Sequence, residues 1–142
     1  MLAGKNVTSN GDKLVKVTEE YVYHTLQHPN ADLAARIRQL RTVRDLDVKQ
    51  YGLLKKQLPY LVCGVFAPPY RNTENFAYID RFIIDIDHLS EKGLDLENLR
   101  SKLKGDSRVM MLFASPGEDG LKVLMRLSER CYDAGIYTLF YR

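Results

Sequence analysis

The feature that most constrains this chain is the run "FIIDIDHL", Phe82 to Leu89, in which two aspartates interrupt a row of isoleucines. β-Branched and aromatic residues favour a strand, in which successive side chains point to opposite faces of the sheet. Asp85 and Asp87 are therefore predicted to lie on the same face, with Cα atoms about 6 to 7 Å apart. Two like charges this close repel each other unless a proton or a cation neutralises them. The run predicts a sheet strand that ends in an acidic site.

Two carboxylates at this spacing can converge on divalent ions that lie about 3.5 to 4 Å apart. Mg²⁺ or Mn²⁺ are the expected metals, because both prefer oxygen ligands. The alternative is an ordinary acidic strand end that faces solvent, since an isolated DxD motif is common. His88 is either a further ligand or a surface residue at the strand exit.

The length of 142 residues predicts a single domain, residues 1–142, with one hydrophobic core. Hydrophobic residues make up 45% and charged residues 27% of the chain, which excludes a disordered or fibrous protein. Residues 1–12 are polar and rich in Gly, Ser and Asn, so we expect a flexible arm there.

No apolar run is long enough to cross a bilayer and no secretory signal is visible, so the sequence predicts a cytoplasmic protein without a membrane partner. Cys63 and Cys131 lack the spacing of a metal site and are expected to be free thiols. The formal net charge of +3 permits an acidic partner. The basic segment from Arg36 to Lys56 is either a solvated helix face or a region that contacts phosphates.

The pattern of apolar residues and turn signals predicts an α+β domain with a mixed or antiparallel sheet and helices packed on one side. That arrangement would leave one sheet face free for a ligand. Helices are expected over 31–43, 48–57 and 94–103, and a last helix begins near the C-terminus. Strands are expected near 13–17 and over 60–66, 76–87, 108–114 and 121–127.

A second informative segment is "LFASPGEDGLKVLMRL", which reads as two strands joined by a turn that needs Gly117 and Gly120. Ser115 and Lys122 flank the turn, so its backbone N–H groups and these side chains could cradle a phosphate. The alternative is an exposed hairpin with a solvated lysine. Arg71, in the loop before the acidic strand, could clamp phosphate or a template.

Taken in order, "KKQLPYLVCGVF", Arg71, "FIIDIDHL" and "FASPGEDGLKVLMRL" resemble the primase-polymerase (archaeo-eukaryotic primase) superfamily. The likeness is closest to prokaryotic domains of the VirE-like N-terminal type, some of which accompany CRISPR adaptation genes. It extends from about Lys55 to Leu127, roughly half the chain. The resemblance implies an RRM-like catalytic core.

In that superfamily the hydrophobic strand ending in DxD supplies metal ligands, which implies this role for Asp85 and Asp87. A second motif, Ser followed by Gly-x-His, binds the incoming nucleotide, and Ser115, Gly120 and Lys122 occupy its positions here. Lys122 therefore replaces the usual histidine.

The superfamily also places a third metal-binding acid on a strand after the next helix. This sequence ends at Arg142 within that helix, and neither Asp80 nor Asp133 matches the motif. Two alternatives follow from the resemblance. The chain is either a C-terminally truncated part of a longer enzyme or a reduced domain that binds without catalysing.

The expected function is a DNA or RNA primase-polymerase core, a nucleotidyltransferase that binds nucleoside triphosphate, a template or primer, and two ions of Mg²⁺ or Mn²⁺. The alternative is a non-catalytic nucleotide-binding or nucleic-acid-binding module. A phosphatase with the first aspartate of a DxD motif as nucleophile is a third, weaker interpretation, because "DIDHL" lacks the Thr or Val that usually follows.

Overall fold

The structure is a computed structural model that describes residues 1–141. Its helices are α1 (Glu19–Gln27), α2 (Ala31–Val43), α3 (Val48–Lys56), α4 (Leu96–Lys104) and α5 (Ala134–Tyr141). Its strands are β1 (Leu2–Gly4), β2 (Val15–Lys16), β3 (Tyr60–Val62), β4 (Gly64–Phe66), β5 (Phe76–Asp87), β6 (Val109–Ala114) and β7 (Gly120–Cys131). The chain is therefore an α+β protein.

Every strand pairing in the described part of the chain is antiparallel, which decides between the mixed and antiparallel sheets that the sequence allows. A four-stranded sheet has the order β4-β5-β7-β6, and a three-stranded sheet has the order β2-β1-β3. The extended segment 60–66 contributes to both sheets, because it passes from one to the other at Cys63.

Helices lie on both faces of the four-stranded sheet. Leu121 and Val123 of β7 pack against apolar residues of α4, and we call this side the α4 face. Leu124, which points the other way, packs with Val22 of α1 and with Met1, and we call this side the α1 face. The sequence analysis predicts helices on one side of the sheet only. That prediction is wrong, because β7 carries apolar residues on both of its faces and each face needs a cover.

Local capping signals explain where three of the helices begin. The side chains of Asn30, Asp47 and Asp95 accept hydrogen bonds of 2.9, 3.0 and 2.7 Å from backbone amides in the first turns of α2, α3 and α4. The prediction of a helix over 31–43 is confirmed. Helix α1 follows Thr18, which caps it in the same way, although the sequence analysis predicts no helix there.

The N-terminal segment differs from the flexible arm that its composition predicts. Met1 and Leu2 are buried, and β1 lies between β2 and β3 in the smaller sheet. The Asp12 carboxylate accepts hydrogen bonds from the backbone amides of Lys5 and Asn6, which closes the polar loop. Polar composition therefore produces a hydrogen-bonded loop in this segment.

Both cysteines are free thiols, as the sequence predicts. Burial raises the pKa of the Cys63 thiol to about 11, so this thiol stays protonated at neutral pH. Among residues 1–141, none of the helices combines the length and the apolar character needed to traverse a bilayer.

Candidate functional site

The two aspartates lie near the end of β5, which pairs with β7 along most of its length. Asp85 is opposite Lys122, and Asp87 is opposite Gly120. Strand alternation places both carboxylates on the α1 face, beyond the core residues Ile83 and Leu124. The acidic pair therefore lies on the same sheet face as the core that contains Met1 and Val22, toward the end of β5.

Lys122 forms an ion pair with Asp85, in which its Nζ donates to Oδ2. The Lys122 side chain is 21% exposed and the Asp85 side chain 41% exposed, so water reaches the pair. Ion pairs that water reaches contribute at most about 1 kcal/mol. A cation with a higher charge density than the Lys122 ammonium group can therefore replace it at Asp85.

Gly120 allows three groups to approach one another beside the acidic pair. A Cβ atom on Gly120 would lie 2.9 Å from Asp87 Oδ1, 3.0 Å from the Ile86 carbonyl oxygen and 3.1 Å from Ser115 Oγ. Ser115 is 6% exposed, so its hydroxyl lies beneath the surface next to Asp87. The structure thus brings together Asp87, Gly120 and Ser115.

The turn between β6 and β7 is closed by a hydrogen bond of 2.8 Å from the Ser115 amide to the Gly120 carbonyl. The residue with the left-handed backbone is Glu118, with φ of 64°, and not either glycine of the turn. Gly117 allows close packing instead, since a Cβ there would displace the Tyr51 hydroxyl of α3. Both turn glycines serve close packing.

Two arginines of α2 bind the same turn. Arg41 donates from Nε to the Pro116 carbonyl at 3.1 Å and pairs with Glu118 at 2.9 Å. Arg44 donates to the Gly117 carbonyl. The sequence analysis assigned these arginines only to a basic segment, because their distance from the turn along the chain conceals the contact.

A second contact joins the turn to the loop that follows Asp87. The Asp119 carboxylate accepts hydrogen bonds of 2.8 Å from both the backbone amide and the hydroxyl of Ser90. These two hydrogen bonds hold the pKa of Asp119 below its ordinary value, and the bond from the Ser90 amide has the larger effect. Lys92 donates to the Asp87 carbonyl at 2.9 Å. The backbone on both sides of Asp87 is therefore held in place.

Backbone strain is concentrated around the same residues. His88 and Glu118, with φ of 59° and 64°, are the non-glycine residues that the described chain holds at positive φ. Such conformations cost about 1 to 3 kcal/mol and tend to occur at functional sites. The His88 imidazole lies 3.3 Å from Glu91, so its described contact is with the loop and not with the two aspartates.

Arg71 lies apart from the aspartates. Its guanidinium donates to the Val7 carbonyl and stacks 5.1 Å from the centre of the Tyr60 ring. It also borders a cavity of about 220 Å³ next to Phe66 and Phe76, at the far end of β5 from the acidic pair. Within residues 1–141 no hydrogen bond or ion pair joins Arg71 to the acidic pair.

The two other aspartates considered in the sequence analysis have structural contacts. Asp80 pairs with Arg81 at 3.0 Å, at the point where the pairing of β5 with β7 is irregular. Asp133 accepts hydrogen bonds of 2.7 and 3.0 Å from the amides of Gly135 and Ile136 at the start of α5. Neither belongs to the acidic pair.

The donor set fits a metal ion that arrives with a polyphosphate. In the described part of the chain no group of three or more His, Cys, Asp or Glu side chains gathers at one point. Mg²⁺ commonly binds through one or two carboxylates, completed by substrate phosphates and water. Asp85 and Asp87 supply two such carboxylates on one face, with the ammonium group of Lys122 beside them.

Comparison with known proteins gives one result. A family model described as BT4734-like, N-terminal domain, matches residues 53–134, which is more than half of the chain. The matched stretch includes both aspartates, the β6–β7 turn and Lys122. No curated protein and no solved structure matches the chain. The chain belongs to the family of BT4734-like N-terminal domains.

Proposed function

We propose that this domain is a nucleotidyltransferase core of the primase-polymerase type, which binds a nucleoside triphosphate with Mg²⁺ or Mn²⁺. One observation carries the proposal. Asp85 and Asp87 lie on the same sheet face, Lys122 is opposite the first and Gly120 is opposite the second. The order of motifs in the sequence, which resembles that superfamily, supports the same assignment.

The carboxylates of Asp85 and Asp87 are the proposed metal ligands. When bound, divalent metal supplies the positive charge that lowers the pKa of a 3′-hydroxyl and stabilises the charge that develops on the phosphates. The hydrogen bonds at Ser90 and Lys92 keep the backbone around Asp87 fixed, so the carboxylates are oriented before substrate binds.

Lys122 is the proposed contact for the triphosphate. It neutralises Asp85 in the structure described here, and metal binding at Asp85 would release its ammonium group for a phosphate oxygen. Ser115 is buried, so we assign to it the support of Asp87 and of the turn in addition to the nucleotide contact that the sequence suggests.

The reaction is the transfer of a nucleotidyl group. The 3′-hydroxyl oxygen forms a bond to the α-phosphorus, and the bond from that phosphorus to the oxygen bridging to the β-phosphate breaks. Pyrophosphate leaves with the bonding electron pair, and the hydroxyl proton passes to water. The contribution of this chain is to hold the reacting groups in line. Such positioning lowers the activation barrier because the groups no longer have to find this arrangement by diffusion.

A primer-extension assay with Mn²⁺ and a labelled primer on a template tests this function. Asp85→Asn and Asp87→Asn should each reduce extension by at least about 100-fold, because loss of a direct ligand exceeds the 10–100-fold cost of losing its supporting contacts. Glu129→Gln is the matched control, since Glu129 is exposed near the opposite end of β7.

Three outcomes would contradict the proposal. Wild-type extension by both asparagine variants would show that the acidic pair is not involved. Binding of nucleotide without any extension would make the domain a nucleotide-binding module, and release of phosphate from a simple ester would indicate a phosphatase.

A further inference from the structure

A second cleft lies between the N-terminal loop and the helices α2 and α3, away from the acidic pair. Its volume is about 440 Å³. Three cationic side chains line it: Lys5 from the loop, Arg36 from α2 and Lys56 from α3. None of its lining residues is acidic, although the carboxylate of Asp32 pairs with Arg36 behind the wall.

The cations differ in how they are held. Arg36 pairs with Asp32 at 3.0 Å and donates to the Gln57 carbonyl at 3.3 Å, which fixes its guanidinium at the wall. Among residues 1–141, the ammonium groups of Lys5 and Lys56 form no ion pair with a carboxylate. Two exposed ammonium groups in the cleft are therefore available to an external anion.

The loop side of the cleft is ordered by its own hydrogen bonds. Asp12 accepts from the amides of Lys5 and Asn6 at 2.7 and 2.9 Å, and Asn6 Oδ1 accepts from the amide and hydroxyl of Thr8 at 3.1 and 2.7 Å. The hydrogen bond from the Asn6 amide is the main cause that lowers the pKa of Asp12. A wall fixed in this way loses little entropy when a ligand binds.

Helix α2 connects this cleft to the β6–β7 turn. Arg36 lines the cleft, while Arg41 and Arg44, farther along the same helix, bind the turn beside the acidic pair. Five to eight residues of helix correspond to about 7.5 to 12 Å along its axis. Each of these arginines already pairs with a carboxylate, that of Asp32, Glu118 or Asp45, so the unpaired cations of the cleft are the two lysines.

We propose that this cleft binds the phosphodiester backbone of a single nucleic-acid strand. Lysine, hydroxyl and amide groups are the usual partners of phosphate oxygens, and such contacts are independent of base sequence. Leu53 at the rim is 56% exposed and offers an apolar surface to a sugar or base. A cleft of about 440 Å³ with two unpaired ammonium groups has room for a stretch of strand with neighbouring phosphates and exceeds the size of one free phosphate ion.

The salt dependence of binding tests this site. Fluorescence anisotropy with a labelled oligothymidylate, measured in EDTA to exclude metal, should show a falling affinity as salt increases. The Lys5→Gln/Lys56→Gln double variant should reduce the magnitude of the slope of log K against log salt by about 1.4, from about 0.7 for each phosphate contact. Lys102→Gln/Lys104→Gln on α4 is the matched control and should bind like wild type.

The binding test is separate from the test of catalysis, because this cleft contains neither Asp85 nor Asp87. Asp87→Asn should therefore keep the wild-type strand affinity in EDTA whether or not the domain extends primers. Wild-type affinity and slope in the Lys5→Gln/Lys56→Gln variant would overturn the proposal. The proposal would also be overturned if inorganic pyrophosphate or a polyglutamate peptide displaced the labelled oligothymidylate as well as the unlabelled strand does. The cleft would then bind anions in general.

Discussion

At the scale of single residues, Gly120 decides how closely the functional groups can approach. The carboxylate of Asp87 and the hydroxyl of Ser115 both lie within 3.1 Å of the position that a Gly120 Cβ would occupy. The Ile86 carbonyl oxygen is also within 3.0 Å, and backbone cannot move aside as a side chain can. Any larger residue must displace Asp87 from its present position.

We predict that Gly120→Ala weakens metal–nucleotide binding by about 10–100-fold, the usual cost of disturbing a supporting contact of a metal ligand. Calorimetric titration with Mn²⁺ and a non-hydrolysable triphosphate measures the loss. Gly105→Ala is the control, because a Cβ there meets no atom within 4 Å. Unchanged affinity in Gly120→Ala, with the fold preserved by circular dichroism, would contradict the packing argument.

The sequence identifies Gly120 as important but suggests a different reason. A glycine in a short turn indicates a positive φ, whereas here Glu118 adopts that conformation. The close approach to Asp87 depends on the pairing of β5 with β7, which joins residues that are distant along the chain. Local sequence carries no information about such a contact.

At the scale of elements, the loop after β5 and the β6–β7 turn act as one unit. Ser90 donates two hydrogen bonds to Asp119, and the Leu89 amide donates to the Asp119 carbonyl at 3.2 Å. Leu89 itself is 2% exposed and packs with the α4-face core. The connection therefore holds the acidic strand end against the turn.

We predict that this connection weakens in acid. The pKa of Asp119 lies below its ordinary value of 3.8, because the ionised carboxylate accepts both bonds from Ser90. The stabilisation that the ionised Asp119 carboxylate gives to the connection is fully present when the pH is above 3.8. It is lost as the pH falls through the lower pKa that Asp119 has in the folded protein. The Ser90 amide resonance, followed by NMR from pH 6 to pH 2, should move with an apparent pKa below 3.8.

Asp119→Asn provides the control for this titration. In this variant the resonance of the Ser90 backbone amide should show no titration below pH 3.8, since the asparagine side chain does not ionise. A Ser90 resonance that titrates identically in the variant, or a wild-type midpoint above 3.8, would show that Asp119 does not hold the loop.

Helix boundaries were predictable where the signals are local. Asn30 is a favoured N-cap residue directly before the apolar pattern of α2, so the predicted start of that helix agrees with the structure. Helix α1 also has a cap at Thr18, and its buried apolar residue is Val22. Its position depends on the contact of Val22 with the sheet, which periodicity does not reveal.

At the scale of the whole molecule, β7 joins two cores. Leu121 and Val123 belong to the core on the α4 face, and Leu124 belongs to the core on the α1 face. The sequence analysis expected one open sheet face, yet the acidic pair lies on a face that the N-terminal elements partly cover. Long-range packing of Met1 and α1 produces this cover.

We predict that the two cores unfold together. Leu121→Ala and Leu124→Ala, each removing a side chain that is at most 1% exposed, should each lower the free energy of unfolding by about 2 to 5 kcal/mol. Urea unfolding followed by circular dichroism and tyrosine fluorescence should show one shared transition in each case. If the alanine variants do not fold, Leu121→Val and Leu124→Val replace them in the same measurement. Two separate unfolding transitions would contradict the prediction that both cores unfold as one unit.

The central claim is that Asp85 and Asp87 jointly bind a divalent metal in the presence of a nucleoside triphosphate. Electron paramagnetic resonance of free Mn²⁺, titrated with protein and a non-hydrolysable triphosphate, measures this binding without requiring turnover. The account predicts an affinity that falls at least about 10-fold in both Asp85→Asn and Asp87→Asn and is unchanged in Glu129→Gln. Wild-type Mn²⁺ affinity in the two asparagine variants would contradict it.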